Sequence, residues 1–257
     1  MQFVVCALAL LVTACVTKTQ QLGGDPTSGS KQVTDLHKRA SIHTQLGAKY
    51  AERGQYGVAI EELKKAIAAD KDYAPAYGML GLVYMDLKEN DLAHQNFERA
   101  IRIAPDDAAI NNNYGQFLCQ TGSPKESIAY FLKALKNPLY ETPQLAFVNA
   151  GVCSLKYDAL PQADDYFQRA LRIDPNQPQA LFNLAQLRFG SARYSEARGF
   201  LERYHKVTDP SAESLWLALR IERKLGDRGA ETSFAAQLRR NFSGSHEYQD
   251  FLKGNYE

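Results

Sequence analysis

The chain predicts an all-α solenoid of about six helix-turn-helix units, and three observations lead there. Glycine recurs at a near-constant interval: Gly47, Gly81, Gly115 and Gly151 lie 34, 34 and 36 residues apart, and Ala185 takes the same place 34 later. Downstream of each comes alanine, then a large apolar residue, then alanine, as in Ala93, Phe97, Ala100 and Ala163, Phe167, Ala170. Between the two patterns, breaks such as "ERGQY", "KENDL" and "KYDAL" supply turns. Self-similarity at a period of this length marks a stack of supersecondary units, none of which buries its apolar face alone.

Each unit offers two amphipathic helices with apolar residues at i, i+3, i+4 and i+7. Small residues at the glycine and alanine positions let the helices approach closely, and Tyr84, Phe97 and Phe167 fill the space beside them. Pro105, Pro175 and Pro210 each close a second helix. The units span about 40–73, 74–107, 108–143, 144–177, 178–211 and 212–245. The sixth is degenerate: Leu219 replaces the glycine, Leu225-Gly226-Asp227 falls at the inter-helix turn, and Trp216 is read as core. The final "SGSHEYQDFLKGNYE" reads as a short capping helix. Together residues 36–257 resemble a tetratricopeptide-repeat domain. That resemblance implies a right-handed superhelix whose concave side is built from the first helices and whose business is presenting a surface.

The N-terminus reads differently. An apolar run from Phe3 to Val12 is too short to span a bilayer but suits the core of a signal peptide, residues 1–14. Val12-Thr13-Ala14-Cys15 resembles a bacterial lipobox, which implies cleavage before Cys15 and a covalent lipid upon it. Val16 in place of aspartate implies, by analogy, an outer-membrane destination facing the periplasm. Residues 15–35, with Gly-Gly, Asp-Pro and Ser-Gly-Ser, read as the lipidated cysteine followed by a flexible tether.

Several chemistries are not signalled. With 30 basic and 29 acidic side chains, the net charge of +1 argues against a nucleic-acid binder held by phosphate neutralisation. It argues equally against a polybasic membrane-surface protein, so membrane contact is expected to come from something else. His37, His43, His94, His205 and His246 show no metal-ligand spacing. No glycine-rich phosphate loop or nucleophile elbow occurs. Acidic pairs such as Glu61-Glu62 and Asp164-Asp165 read as solvated faces. The sequence therefore predicts no catalytic residue, no metal, no small-molecule substrate and no cofactor beyond the lipid on Cys15.

The working surface is expected in the groove. First-helix positions assigned to it are Thr44, Ala48 and Ala51, then Leu82, Met85 and Asp86, then Asn112 and Gln116, with Phe182, Gln186 and Phe189 in the fifth unit. Leu82 and Met85 beside Ala48 and Ala51 suggest an apolar slot for an amphipathic segment; the same residues could equally serve packing between helices. Within "NNNYGQFLCQTG", Asn113 shares its repeat position with Asn149 and Asn183, whereas Asn111 and Asn112 are additional. Asn112 is placed toward the groove. Cys119 and Cys153 fall at similar heights on the first helices of adjacent units. They form either a disulfide, which the oxidising periplasm favours, or two buried thiols.

The lipobox, tether and repeats, with "NNNYGQFLCQTG" and "YETPQLAFVNAGVCSLKYDALPQADDYFQRALRIDP", resemble the PilF/PilW family of type IV pilus biogenesis lipoproteins. The resemblance implies a non-enzymatic pilotin that helps the pilus secretin subunit reach the outer membrane and multimerise. The alternative is a general periplasmic repeat lipoprotein that scaffolds envelope or cell-wall enzymes.

Overall fold

Two helices can pack closely only where a side chain is missing from one of them. The computed structural model describes residues 26–256, and among these it shows thirteen helices and no strand. α1 (Pro26–Glu52) pairs with α2 (Tyr56–Ala69), and α3 (Ala74–Asp86) with α4 (Asn90–Ile103). α5 (Ala108–Gln120) pairs with α6 (Pro124–Ala134), and α7 (Pro143–Lys156) with α8 (Leu160–Ile173). α9 (Pro178–Gly190) pairs with α10 (Tyr194–Val207), α11 (Ala212–Leu225) with α12 (Arg228–Phe242), and α13 (His246–Lys253) caps the last pair. The fold is an all-α tetratricopeptide-repeat solenoid of six hairpins.

The recurring glycines set the packing distance. A Cβ at Gly47 would lie 2.7 Å from Leu63, at Gly81 2.8 Å from Phe97, at Gly115 2.8 Å from Phe131 and at Gly151 2.6 Å from Phe167. Each large partner is fully buried on the second helix of the same hairpin. The fifth and sixth hairpins reach the same packing with other volumes. Ala185 shares a core with Leu201, and Leu219, on the first helix, shares one with the smaller Ala235. The summed volume across the helix pair is conserved while its division between the helices shifts, which accounts for the apparent degeneracy of the last unit.

The inter-helix turn repeats too. One residue per turn adopts positive φ: Gly54, Gly122 and Gly226 at 71°, 103° and 80°, and Lys88, Asp158 and Ala192 at 62°, 60° and 56°. Glycine is favoured there but not required, at a cost of about 1 kcal/mol for the others.

Successive first helices meet: α1 with α3, α3 with α5, α5 with α7, and α9 with α11. α7 and α9 barely touch. Between α5 and α7 a disulfide joins Cys119 to Cys153 across a Cα–Cα distance of 5.8 Å, and Lys156 Nζ donates to the Cys119 carbonyl at 3.0 Å.

One boundary differs from the sequence reading. Residues 26–35, assigned to the tether, form the first turns of α1. Proline is well tolerated at a helix start, and further along the same helix Leu36 and Ala40 are drawn into contact with the body. The proposed signal peptide, Cys6, Cys15 and the tether up to residue 25 lie outside the described residues. At the other end Trp216 is 7% exposed, packed with Leu215, Leu219 and Leu238 beneath Tyr248, Phe251 and Tyr256 of the cap.

Three outcomes follow for stability. Gly151→Ala should cost about 2 kcal/mol through overlap with the Phe167 ring, whereas Gly57→Ala, with nothing within 4 Å, should be neutral or mildly stabilising. Phe167→Leu combined with Gly151→Ala, copying the fifth hairpin, should cost less than the sum of the two single changes in urea unfolding; strict additivity would contradict the volume argument. Removing the disulfide as Cys119→Ala/Cys153→Ala should lower stability by up to about 4 kcal/mol, since the bridge spans 34 residues. Thermal melts of the oxidised and doubly substituted chains measure it.

Candidate partner-binding groove

The asparagine run explains part of the concave face. Asn111 is fully buried, and its Nδ2 donates to the carbonyls of Pro105 and Asp107, both at 2.7 Å, fastening α5 to the turn before it. Asn149 Nδ2 donates to Asn112 Oδ1 at 3.0 Å, and Asn112 Nδ2 donates to Asn113 Oδ1 at 3.3 Å. Three amides thus run in series from α7 to α5. Asn183 Nδ2 instead donates to Gln179 O of its own helix. Two further side chains stiffen this region: Tyr114 is buried between Phe97, Phe117 and Tyr130, with its hydroxyl 3.2 Å from His94 Nδ1, and burial raises its phenol well above the ordinary range.

Several predicted groove residues are therefore not open surface. Asn112 is 8% exposed because Asn149 covers it, so it bridges helices rather than reaching for a peptide. Thr44 is equally buried, its hydroxyl donating to Ala40 O at 2.8 Å. Leu82 and Met85 are half-buried against the core of Phe97, Tyr114, Phe117 and Leu118, and Ala51 packs on the core around Leu63 and Leu80. These apolar side chains are taken up in large part by helix packing, because the second hairpin packs closely against both its neighbours. Ala48 and Gln116 are half-buried and Asp86 is exposed. Phe182 and Phe189 pack against the core of Ala185, Leu201 and Leu217.

An open recess lies further along. Where α7 and α9 separate, a cleft of about 580 Å³ opens. Leu155, Leu160, Pro161 and Leu187 give it apolar walls, and Asn183 and Gln186 place amides at its rim. Leu155 and Gln186 occupy the same repeat positions as Ala51 and Ala48. Gly190 and Ser191 leave room at one end. Leu160 is 46% exposed, an apolar side chain without a complete neighbour.

A buried ion pair forms one wall. Arg188 is 5% exposed; it pairs with Asp164 of α8 through Nη1 and with Glu196 at 3.0 Å through Nε, and its guanidinium lies 5.8 Å from the Phe200 ring. The hydrogen bond to Asp164 holds the Arg188 guanidinium above its ordinary value. Sequence reading took Asp164 for a solvated charge; its buried partner lies 24 residues away, beyond the reach of local pattern. The cleft offers apolar contact, amide hydrogen bonds and a fixed charge pair, a combination that suits a peptide segment. No group of three or more His, Cys, Asp or Glu could hold a metal among the described residues, and no helix among them is long and apolar enough to cross a membrane.

Comparison with known proteins agrees with the geometry. Tetratricopeptide-repeat models match residues 47–88, 79–141 and 155–219. The type IV pilus assembly protein PilF of Pseudomonas aeruginosa is 31% identical over 244 residues, covering 95% of this chain and 94% of that protein. The chain belongs to the PilF/PilW family. Solved structures of the family superpose along most of the length. The crystal structure of PilW, a type IV pilus biogenesis factor, gives a TM-score of 0.76 at 36% identity, covering 83% of this chain and 98% of that one. A Pseudomonas aeruginosa PilF structure gives 0.80 at 30% identity, covering 86% and 99%.

Arg188→Met should strand Asp164 and cost about 2 kcal/mol. Adding Asp164→Leu should recover most of that loss, since the corresponding positions two interfaces earlier are His94 and Leu118. Urea midpoints of the single and double variants decide it; a double variant no better than Arg188→Met would contradict the pairing.

Proposed function

We propose that this protein is a non-enzymatic pilotin of type IV pilus biogenesis. A lipid on Cys15 holds it at the periplasmic face of the outer membrane, and its concave face grips a segment of the pilus secretin subunit. It thereby assists that subunit's localisation and multimerisation. The observation that carries this reading is similarity along 95% of the chain to a protein named for type IV pilus assembly. The groove supplies a physical means: a rigid solenoid with an apolar, amide-rimmed cleft between its fourth and fifth hairpins. Peptide capture needs contacts that survive without a catalytic centre, and apolar anchors flanked by backbone-directed amides provide them.

Deleting the gene should abolish twitching and remove heat-stable secretin oligomers from the outer membrane. Secretin oligomers at normal abundance in the deletion strain would overturn the reading. In the purified system, Leu160→Arg should weaken binding of the soluble secretin periplasmic region at least tenfold without changing the helical circular-dichroism signal, because a hot-spot apolar contact is replaced by a desolvated charge.

A further inference from the structure

The solenoid ends abruptly at α1. In interior hairpins, three first-helix positions are covered by the preceding hairpin: Ala76, Leu80 and Val83 of α3, and Ile110, Tyr114 and Phe117 of α5, are all buried. The matching residues of α1 are Ile42, Leu46 and Lys49. No hairpin precedes α1 among the described residues, and Ile42 and Leu46 are 49% and 40% exposed. They lie on the side of the helix opposite Ala40, Thr44 and Gly47, which face the body.

The charges around that apolar pair are mostly positive, four cations against two carboxylates. Lys38, Arg39 and Lys49 are exposed on the same side of α1, and exposed Arg53 follows just beyond its end. The carboxylates exposed along this stretch are Asp35 and Glu52. Glu62, the nearby α2 carboxylate, is already engaged by His43 at 2.7 Å and Lys65 at 2.7 Å. A terminal face made polar for solubility alone needs no particular sign. Here four cations surround two exposed aliphatic side chains, in a chain whose net charge is only +1.

From this juxtaposition we infer that the outer face of α1 is a membrane-docking surface that lies against anionic phospholipid headgroups. The cations pair with lipid phosphates, and Ile42 and Leu46 enter the headgroup boundary, as an interfacial amphipathic helix does. The occupant follows from charge and from chain continuity. α1 is the helix that directly follows residues 1–25, and ten residues lie between Cys15 and Pro26. Fully extended, that stretch spans at most about 40 Å, so a lipid on Cys15 keeps this face within reach of its own bilayer. The inference rests on the reading that the N-terminal segment brings the chain to a membrane, but not on secretin binding. Docking fixes which end of the body meets the lipid: the α1 end lies against it, and the cleft between α7 and α9 sits three hairpins further along the solenoid.

The test uses the full chain carrying Cys15→Ser, so that no acyl group contributes. Its partition is measured on phosphatidylethanolamine vesicles containing 30% phosphatidylglycerol and on phosphatidylethanolamine vesicles containing 30% phosphatidylcholine instead, in low and high salt. Any contribution of the apolar N-terminal run is common to both surfaces, so the ratio reports the charged face. With about a fivefold effect per basic residue, the ratio should exceed tenfold in low salt and collapse in high salt. Lys38→Glu/Arg39→Glu/Lys49→Glu should bring it near one while leaving the circular-dichroism spectrum unchanged, since all three side chains are exposed. Equal partition of the parent chain on both surfaces, or a charge-reversed chain that still selects phosphatidylglycerol, overturns the inference. So does concentration-dependent dimerisation without vesicles that the same substitutions abolish, which would assign the face to a second copy. Loss of secretin assembly in cells with vesicle selectivity intact would leave this inference standing, and failure of secretin binding alone would not touch it.

Discussion

Everything in this structure depends on how closely the two helices of a hairpin can approach. Gly81, Gly115 and Gly151 each lie flat against a phenylalanine ring of the facing helix, at distances no Cβ could share. That contact fixes the inter-helix spacing, and the spacing fixes where every first helix presents its remaining faces. One face packs on the next hairpin and one is left for the groove. The contact is a volume constraint rather than a sequence one. Glycine with phenylalanine, alanine with leucine and leucine with alanine all satisfy it, and the six hairpins use all three divisions along with glycine and leucine.

The groove follows from what happens between hairpins. α5 and α7 are drawn together by the Cys119–Cys153 bridge, the Asn149–Asn112 amide bond and Lys156 on the Cys119 carbonyl. α7 and α9 have no such bond among the interactions described, and the cleft opens there. A stiff first-helix pair beside a loose one gives the solenoid a firm wall next to a recess. Rigidity on one side is useful for holding a flexible segment, because only the guest's freedom is lost on binding.

This contrast also explains what was legible from sequence. The hairpins, the glycine approaches and the closing cap could be read because they depend on spacing within about one repeat. The exposure of Asn112 and Thr44 could not. A helical wheel gives direction, but whether Asn149 covers Asn112 depends on the distance between two units. Leu160 sits in the "KYDAL" break, which the sequence marks only as a turn, and its place on the wall of an open cleft depends on the separation of α7 from α9. The start of α1 was misplaced because glycine and serine dominate residues 22–30, and composition outweighed the helical run that follows. Asp164 was read as a surface charge for want of its partner, 24 residues away.

That partner opens a last question, why buried charge is tolerated at all. Asp164 of α8 meets Arg188 of α9, and Arg198 of α10 meets Glu222 of α11, at corresponding places in successive interfaces. Two interfaces nearer the N-terminus, the corresponding residues are His94 and Leu118. Buried ion pairs add little net stability over apolar packing, so their value must lie elsewhere. The two pairs have opposite polarity. If the fourth hairpin stacked on the sixth, Asp164 would confront Glu222, and two carboxylates would share a buried site. Apolar contacts between near-identical repeats cannot tell one neighbour from the next; charges of alternating sign can. The opposite polarity of the two pairs thus favours each hairpin's actual neighbour over a fourth-on-sixth stacking.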